Sequence, residues 1–232
     1  MKLSLENIER YNNLYDERFR KFGKSPKALG WWTGKQNIRY NILTKHFDLE
    51  GKSILDVGCG FADLYLYLNS LYHNFEYCGV DMNANLLNEA KKNIMKNSPN
   101  NKWRLVHSDF LDDVLVDKYD YVLASGCFST RLVNQDNLEY VESVIQKAVE
   151  LSRHGVALDF CSSLYGEHDS PMYITYNPLK VMEIAYRYSK RLLLINDYFP
   201  TEFSIVIFKN QDYNKQYIYD EYIIEKTLKF KL

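Results

Sequence analysis

The chain of 232 residues is 46% hydrophobic and 25% charged with a formal net charge of −1, the profile of one large globular domain or one domain with an appended lid. A balance this close to neutral lacks the concentrated basic face that a nucleic-acid backbone requires, so no nucleic-acid partner is expected. Four scattered cysteines (Cys59, Cys78, Cys127, Cys161) show neither zinc-site spacing nor a disulfide framework, and the charged opening MKLSLENIERYNNLYDERFRK has no apolar leader core; these features predict a cytoplasmic protein with reduced thiols, no membrane association and no metal.

Residues 1–45 carry helical periodicity interrupted by FGKSPKALGWWTGK, where Pro26 and three glycines break the pattern into helix, ordered loop and helix. The second of these helices runs through KQNIRYNILTKHF, with Ile38, Ile42 and Leu43 on one stripe. From Ser53 the pattern changes to short apolar strands alternating with longer helices. SILDVG, FEYCGVD, KWRLVHSD and YDYVLASG read as strands, with helices in ADLYLYLNSLY and NANLLNEAKKNIMKN. The helix NLEYVESVIQKAVELS follows, stopped by the glycine of RHGVALDF, which starts strand five. NPLKVMEIAYRYS is a further helix, and KRLLLINDY and EFSIVIFK close the series. The last two strands are too closely spaced for a helical crossover and should pair antiparallel. The expected fold is α/β: a Rossmann-like, seven-stranded, mostly parallel sheet with an antiparallel terminal hairpin and helices on both faces. Residues 1–45 form a helical cap or lid, 46–210 the ligand-binding core, and 211–232 a C-terminal extension.

In an open parallel sheet, ligands bind at the carboxyl ends of the strands where strand order reverses, and LDVGCG lies at such an end. Gly58 and Gly60 allow a tight turn and close approach of a ligand. A dinucleotide fingerprint would place a third glycine at position 63; Asp63 stands there instead and would repel a pyrophosphate. Asp56 before the glycines suits a ligand that brings positive charge. Asp81 ends the next strand and can accept from two ribose hydroxyls, and Asp109 ends the third, where it can accept from an exocyclic amine. Met82 and Phe110 supply apolar contact to rings. Three successive strand ends thus present acids without a phosphate-binding element, a pocket for an adenosine that carries no phosphates. The ordinary alternatives are a glycine corner for the turn, a turn or N-cap role for Asp109, and a buried filler for Cys59.

The stretches ILDVGCGFADL, GVDMN, HSDF and YDYVLASGCF, with GVALDF and LLLINDYFPTEFSIVIFK after them, resemble the class I S-adenosylmethionine-dependent methyltransferases from about Lys35 to Lys209. The resemblance implies that Gly58, Gly60, Phe61 and Ala62 cradle the methionine part of S-adenosyl-L-methionine, with Asp56 near its sulfonium or carboxylate end. It implies Asp81 on the ribose, Asp109 and Phe110 on the adenine, and Ala124 and Ser125 beside the methionine and the methyl acceptor. Ala62 replaces a common third glycine and is small enough to leave the site open. ALGW followed by Gln36 and Arg39 resembles the start of small bacterial methyltransferases that tailor small molecules, including natural products and surface-saccharide precursors. In that reading the loop with Trp31 and Trp32 is a lid over the methionine end, and Gln36 or Arg39 lies close to its carboxylate. The Pro-Pro-aromatic motif usual after strand four in nucleic-acid amino methyltransferases is replaced by ASGCF, and YNPLK follows strand five and starts a helix.

CSSLYGEHDSPMYITYNP, Cys161 to Pro178, has no regular pattern and sits at the carboxyl edge, where long connections tend to carry function. His168 is the candidate general base, and Tyr165, Tyr173 and Tyr176 are candidates for the acceptor pocket; each taken singly also fits an ordinary surface loop. His46, His73 and His154 read as structural. The expected activity is methyl transfer to N or O of a small metabolite, releasing S-adenosyl-L-homocysteine. The alternatives are an RNA or protein methyltransferase and a non-catalytic cofactor-binding subunit.

Overall fold

The computed structural model describes residues 1–31, 35–97, 102–165 and 170–210. Seven strands form one sheet: β1 (Ser53–Val57), β2 (Glu76–Asp81), β3 (Lys102–His107), β4 (Tyr119–Ala124), β5 (Ser152–Cys161), β6 (Leu192–Ile195) and β7 (Glu202–Phe208). Their order is β3-β2-β1-β4-β5-β7-β6. β1 to β5 pair in parallel, and β7 runs antiparallel to both β5 and β6. The order reverses between β1 and β4, which places the switch point beside the glycine turn.

Alternation along the strands sorts the core onto two faces. Leu55, Val57, Val122, Val156 and Leu158 face α5 (Asn137–Leu151) and α6 (Pro178–Tyr186). Ile54, Leu123, Ala157 and Val206 face α2 (Gln36–Thr44), α3 (Asp63–Leu71) and α4 (Ala84–Asn97). β7 is the inner strand of the terminal hairpin because EFSIVIF is buried almost throughout, whereas the residues of β6 remain partly exposed at the edge.

α1 (Leu5–Phe22) begins where Ser4 accepts from the Asn7 amide and ends at Gly23, whose φ is +60°; both caps are legible in the sequence. A short 3₁₀ turn at Pro26–Leu29 follows. Two local expectations need correction. Gly155 does not stop α5; the helix ends at Leu151 and β5 starts at Ser152 with no intervening loop. Gly155 lies inside β5, where an added Cβ would stand 2.8 Å from the Phe47 ring and 3.0 Å from the Ile207 carbonyl oxygen, so close packing explains the residue. The connection 161–178 is not wholly irregular. Ser163–Tyr165 form a 3₁₀ turn, and isolated bridges tie Ser162 to Tyr176 and Thr130 to Tyr173. His154 also gains an acid partner, Asp120, at 3.3 Å, on the sheet edge away from the glycine turn. Trp32, His168 and residues 211–232 lie outside the described residues, as does the side chain of Tyr165.

Candidate functional site

The carboxyl ends of β1, β2 and β4 open into a cavity. Its floor is the turn after β1. Gly58 adopts φ +68°, and a Cβ there would lie 2.5 Å from the Cys127 sulfur, so the turn tolerates only hydrogen at that position. Asp56, Asp81 and Asp109 all line the cavity, joined by Gly60, Met82, Phe110 and Ser125.

Each acid is held differently. Asp56 is buried, and the Tyr77 hydroxyl donates to its Oδ2 at 2.6 Å; burial pushes the carboxyl up to about 7 against that hydrogen bond. Asp81 accepts from the Gly60 amide at 2.9 Å and the Asn83 amide at 2.8 Å. Burial raises its pKa while these backbone donors oppose the shift. Asp109 accepts from the Leu111 amide at 3.0 Å, so the turn role and the cavity position coexist in one residue; burial raises it too. Beyond β4, the Ser125 hydroxyl donates to Asp159 Oδ2 at 2.7 Å and the Gly126 amide to Oδ1 at 2.6 Å. Burial pushes Asp159 up to about 6.

The roof is α1, which the sequence marked only as part of a cap. Tyr11, Asn12 and Tyr15 line the cavity from above. Tyr11 donates to the Cys127 carbonyl at 2.8 Å, and Tyr11 and Tyr15 stack with ring centroids 5.8 Å apart. At one end of α1, the Asn7 side chain donates to the Val133 carbonyl at 2.9 Å. At the other, Asp16 accepts from Asn83 at 2.8 Å and from Asn85 at 2.9 Å. The i, i+4 spacing of Tyr11 and Tyr15 is the signal in the sequence, masked by the general abundance of tyrosine. Trp31 closes the side above Gly126 and also lines the cavity, as does Tyr40 of α2.

Other expected residues stand outside the lining. Phe61 is buried beside Ala28 and Leu86, with its ring 5.6 Å from Phe19, because the turn directs it between α1 and α4. Ala62 caps α3 in a left-handed conformation and packs into the α2–α4 core. Ala124 packs toward α5 and α6. Gln36 borders a separate polar groove with Lys24 and Asp63. Arg39 is committed to Glu202 through Nε at 2.6 Å and Nη2, with its guanidinium over the Trp31 ring at 4.1 Å. Tyr176 is a core residue that donates to the Phe128 carbonyl at 2.8 Å. Tyr173 accepts from Arg18, which also sits over its ring. The two tyrosines are therefore structural ties of the 161–178 connection.

The cavity matches a cofactor of adenosine-plus-amino-acid type in its donors and acceptors. Its three carboxylates and absence of Lys, Arg or His among the described lining residues suit a positively charged ligand without phosphates. A methyltransferase-domain family matches residues 55–158. A candidate methyltransferase of Mycobacterium tuberculosis is 27% identical over 163 residues, covering 68% of this chain and 93% of that protein. Magnesium protoporphyrin IX methyltransferase from Synechocystis, solved with bound S-adenosylmethionine, superposes with a TM-score of 0.66 at 15% identity. That superposition covers 90% of this chain and all of the other. A mycolic acid cyclopropane synthase solved with S-adenosylhomocysteine gives 0.62 at 15% identity, covering 84% and 78% of the two chains. At such identities the two structures speak for the fold, and the sequence match over β1 to β5 speaks for the domain. Together with the acid-lined cavity at the switch point, they give a methyltransferase-type domain over residues 55–158, set in the fold shared by structures solved with S-adenosylmethionine and S-adenosylhomocysteine.

Proposed function

We propose that the protein methylates a nitrogen or oxygen of a small metabolite. The observation that carries this reading is the roof. α1 crosses the carboxyl edge and ties down near α5 and at α4, which favours a compact acceptor over a polymer strand. Asp56 would face the charged methionine end, Asp81 the ribose, and Asp109 with Phe110 the adenine. S-adenosylmethionine supplies an electrophilic methyl group on sulfur and leaves as S-adenosylhomocysteine. The protein's own contribution is then positioning and exclusion of water by Tyr11, Tyr15 and Trp31. An acceptor that must lose a proton would pass it to Ser125 Oγ as the Ser125 hydroxyl proton moves to its hydrogen-bond partner Asp159 at 2.7 Å, so that the carboxylate ends as the proton's acceptor. The methyl acceptors named for the similar structures, a porphyrin among them, belong to those proteins and set no acceptor here.

Isothermal titration of S-adenosylmethionine and S-adenosylhomocysteine is the first test, with binding of both expected. Incubation of the protein with tritiated-methyl S-adenosylmethionine and separated small-molecule, RNA and protein fractions of a cell extract is the second. Label confined to the small-molecule fraction supports the reading, and label in RNA or protein overturns it.

A further inference from the structure

We propose that Asn83 is a positioning residue for the cofactor site: it ties the roof helix α1, through Asp16, to the acid that ends β2, and this tie paces release of the cofactor. The inference rests on the cofactor reading above, in which a ribose meets Asp81, and adds to it a coupling between that acid and the roof.

Asn83 is buried and lines the cavity. Its polar groups work on three different elements. The backbone amide donates to Asp81 Oδ1 at 2.8 Å while the Gly60 amide holds Oδ2 at 2.9 Å, so the two donors fix the orientation of the acid. The side-chain oxygen accepts from the Leu86 amide at 2.9 Å and caps α4. The side-chain nitrogen turns to the roof, where it donates to Asp16 Oδ1 at 2.8 Å and to the Asn12 carbonyl at 3.4 Å. Asn85, in the first turn of α4, adds a second side-chain amide to the same Asp16 oxygen at 2.9 Å. One residue thus joins the acid that ends β2, the start of α4 and the roof.

The chemistry of this tie makes it firm. Amides that donate to a carboxylate form charge-assisted hydrogen bonds, and Asp16 also meets the positive end of the α4 dipole. Towards its start, α1 is tied by Asn7, which donates to the Val133 carbonyl and accepts from the Val133 amide, each at 2.9 Å. Tyr11 and Tyr15 line the cavity between Asn7 and Asp16, so a ligand beneath them leaves when one of these ties yields. The Asn7 tie ends on the loop between β4 and α5. The Asp16 tie ends on the residue whose amide orients Asp81, so lifting α1 there disturbs the acid that holds the ligand. An occupied Asp81 and a closed roof therefore stabilise each other.

The test is a charge swap in the full chain, with S-adenosylhomocysteine as the probe. Its association and dissociation are followed by stopped-flow tryptophan fluorescence, since Trp31 lines the cavity. Asn83→Asp keeps the α4 cap and the backbone amide on Asp81 but sets a carboxylate against Asp16. Dissociation should quicken about tenfold and association should not slow. Asn83→Asp combined with Asp16→Asn restores a donor and an acceptor with their roles exchanged, and should return dissociation to within about threefold of wild type. Asp16→Ala deletes the acceptor while suiting a helix interior, and should also quicken release. The double variant keeps the new carboxylate beside Asp81. Release as fast as in Asn83→Asp alone would therefore trace the effect to Asp81 rather than the roof, and overturns the inference. Slower association or a reduced number of binding sites, with dissociation unchanged, marks a folding defect and overturns it as well. Failure of wild type to bind S-adenosylhomocysteine overturns the cofactor reading and this inference with it. Binding by wild type with unchanged release in both Asn83→Asp and Asp16→Ala overturns this inference alone.

Discussion

Tyr77 and Asp56 stand on adjacent parallel strands, and the tyrosine hydroxyl donates to the carboxylate at 2.6 Å with both side chains buried. The pair sets the charge state of the acid nearest the glycine turn. Around it lie Asp81, Asp63, Tyr40, Cys59 and Cys127, and none of these supplies a positive charge.

That arrangement fixes the sign of a pH effect. Asp56 titrates at about 7 in the folded protein, well above its ordinary range near 4. The folded state therefore holds this proton more tightly than the unfolded chain does. The resulting stabilisation is complete below about pH 4 and fades as pH rises through 7. A cationic cofactor prefers the carboxylate, so its affinity should rise with pH and level off above about 7. Calorimetric titration across that range should show the rise in wild type and a flat profile in Asp56→Asn.

Tyr77→Phe removes the side-chain hydrogen bond that favours the ionised form. The midpoint of the affinity profile should move upward. A shift of one pH unit weakens binding at pH 7 by about fivefold. Affinity well above the new midpoint should match wild type. A pH-independent loss would mean that the phenol acts through packing alone.

Gly126 follows β4 with φ +72°, and a Cβ there would lie 2.3 Å from the Trp31 ring. Gly126→Ala combines left-handed strain with a clash and should cost at least about 2 kcal/mol in urea unfolding. It should also weaken S-adenosylmethionine binding, because Trp31 forms a wall of the cavity.

Arg39 and Glu202 form a buried ion pair between α2 and β7. Glu202→Ala leaves the guanidinium without its counter-charge and should destabilise the fold by about 3–5 kcal/mol. The double variant Arg39→Met, Glu202→Leu should recover much of that loss. Equal damage from the single and double variants would show that the charges themselves contribute little.

Asp159 closes the turn after β4 by accepting from Ser125 and Gly126. Asp159→Ala strands both donors and should cost about 1–3 kcal/mol. Asp159→Asn keeps an acceptor for Gly126 and can donate to Ser125, so its unfolding midpoint should stay close to wild type. Comparing the two by urea denaturation checks the assignment.

The strand-end acids were legible because each lies where an apolar run stops and a turn begins, a local pattern that needs no knowledge of distant contacts. The loop tyrosines were not. Tyr173 and Tyr176 sit in a polar, irregular stretch, and whether such a ring meets solvent or core depends on what stands opposite. For Tyr176 that is the Phe128 carbonyl and Asn137, 48 and 39 residues away. Arg39 misled for the same reason, since its counter-charge Glu202 lies 163 residues further along.

By itself, the sequence determined the order of strands and helices, the antiparallel ending, the glycine turn and the three carboxylates around it. Periodicity, capping and turn chemistry act over a few residues and can be read along the chain. Only the tertiary structure decided that α1 roofs the cavity, that β7 lies inside β6, and that Tyr11 and Tyr15 line the same cavity as the strand-end acids. Those outcomes depend on which surfaces bury one another across more than a hundred residues, as Tyr11 and Cys127 do, and no local pattern encodes that choice.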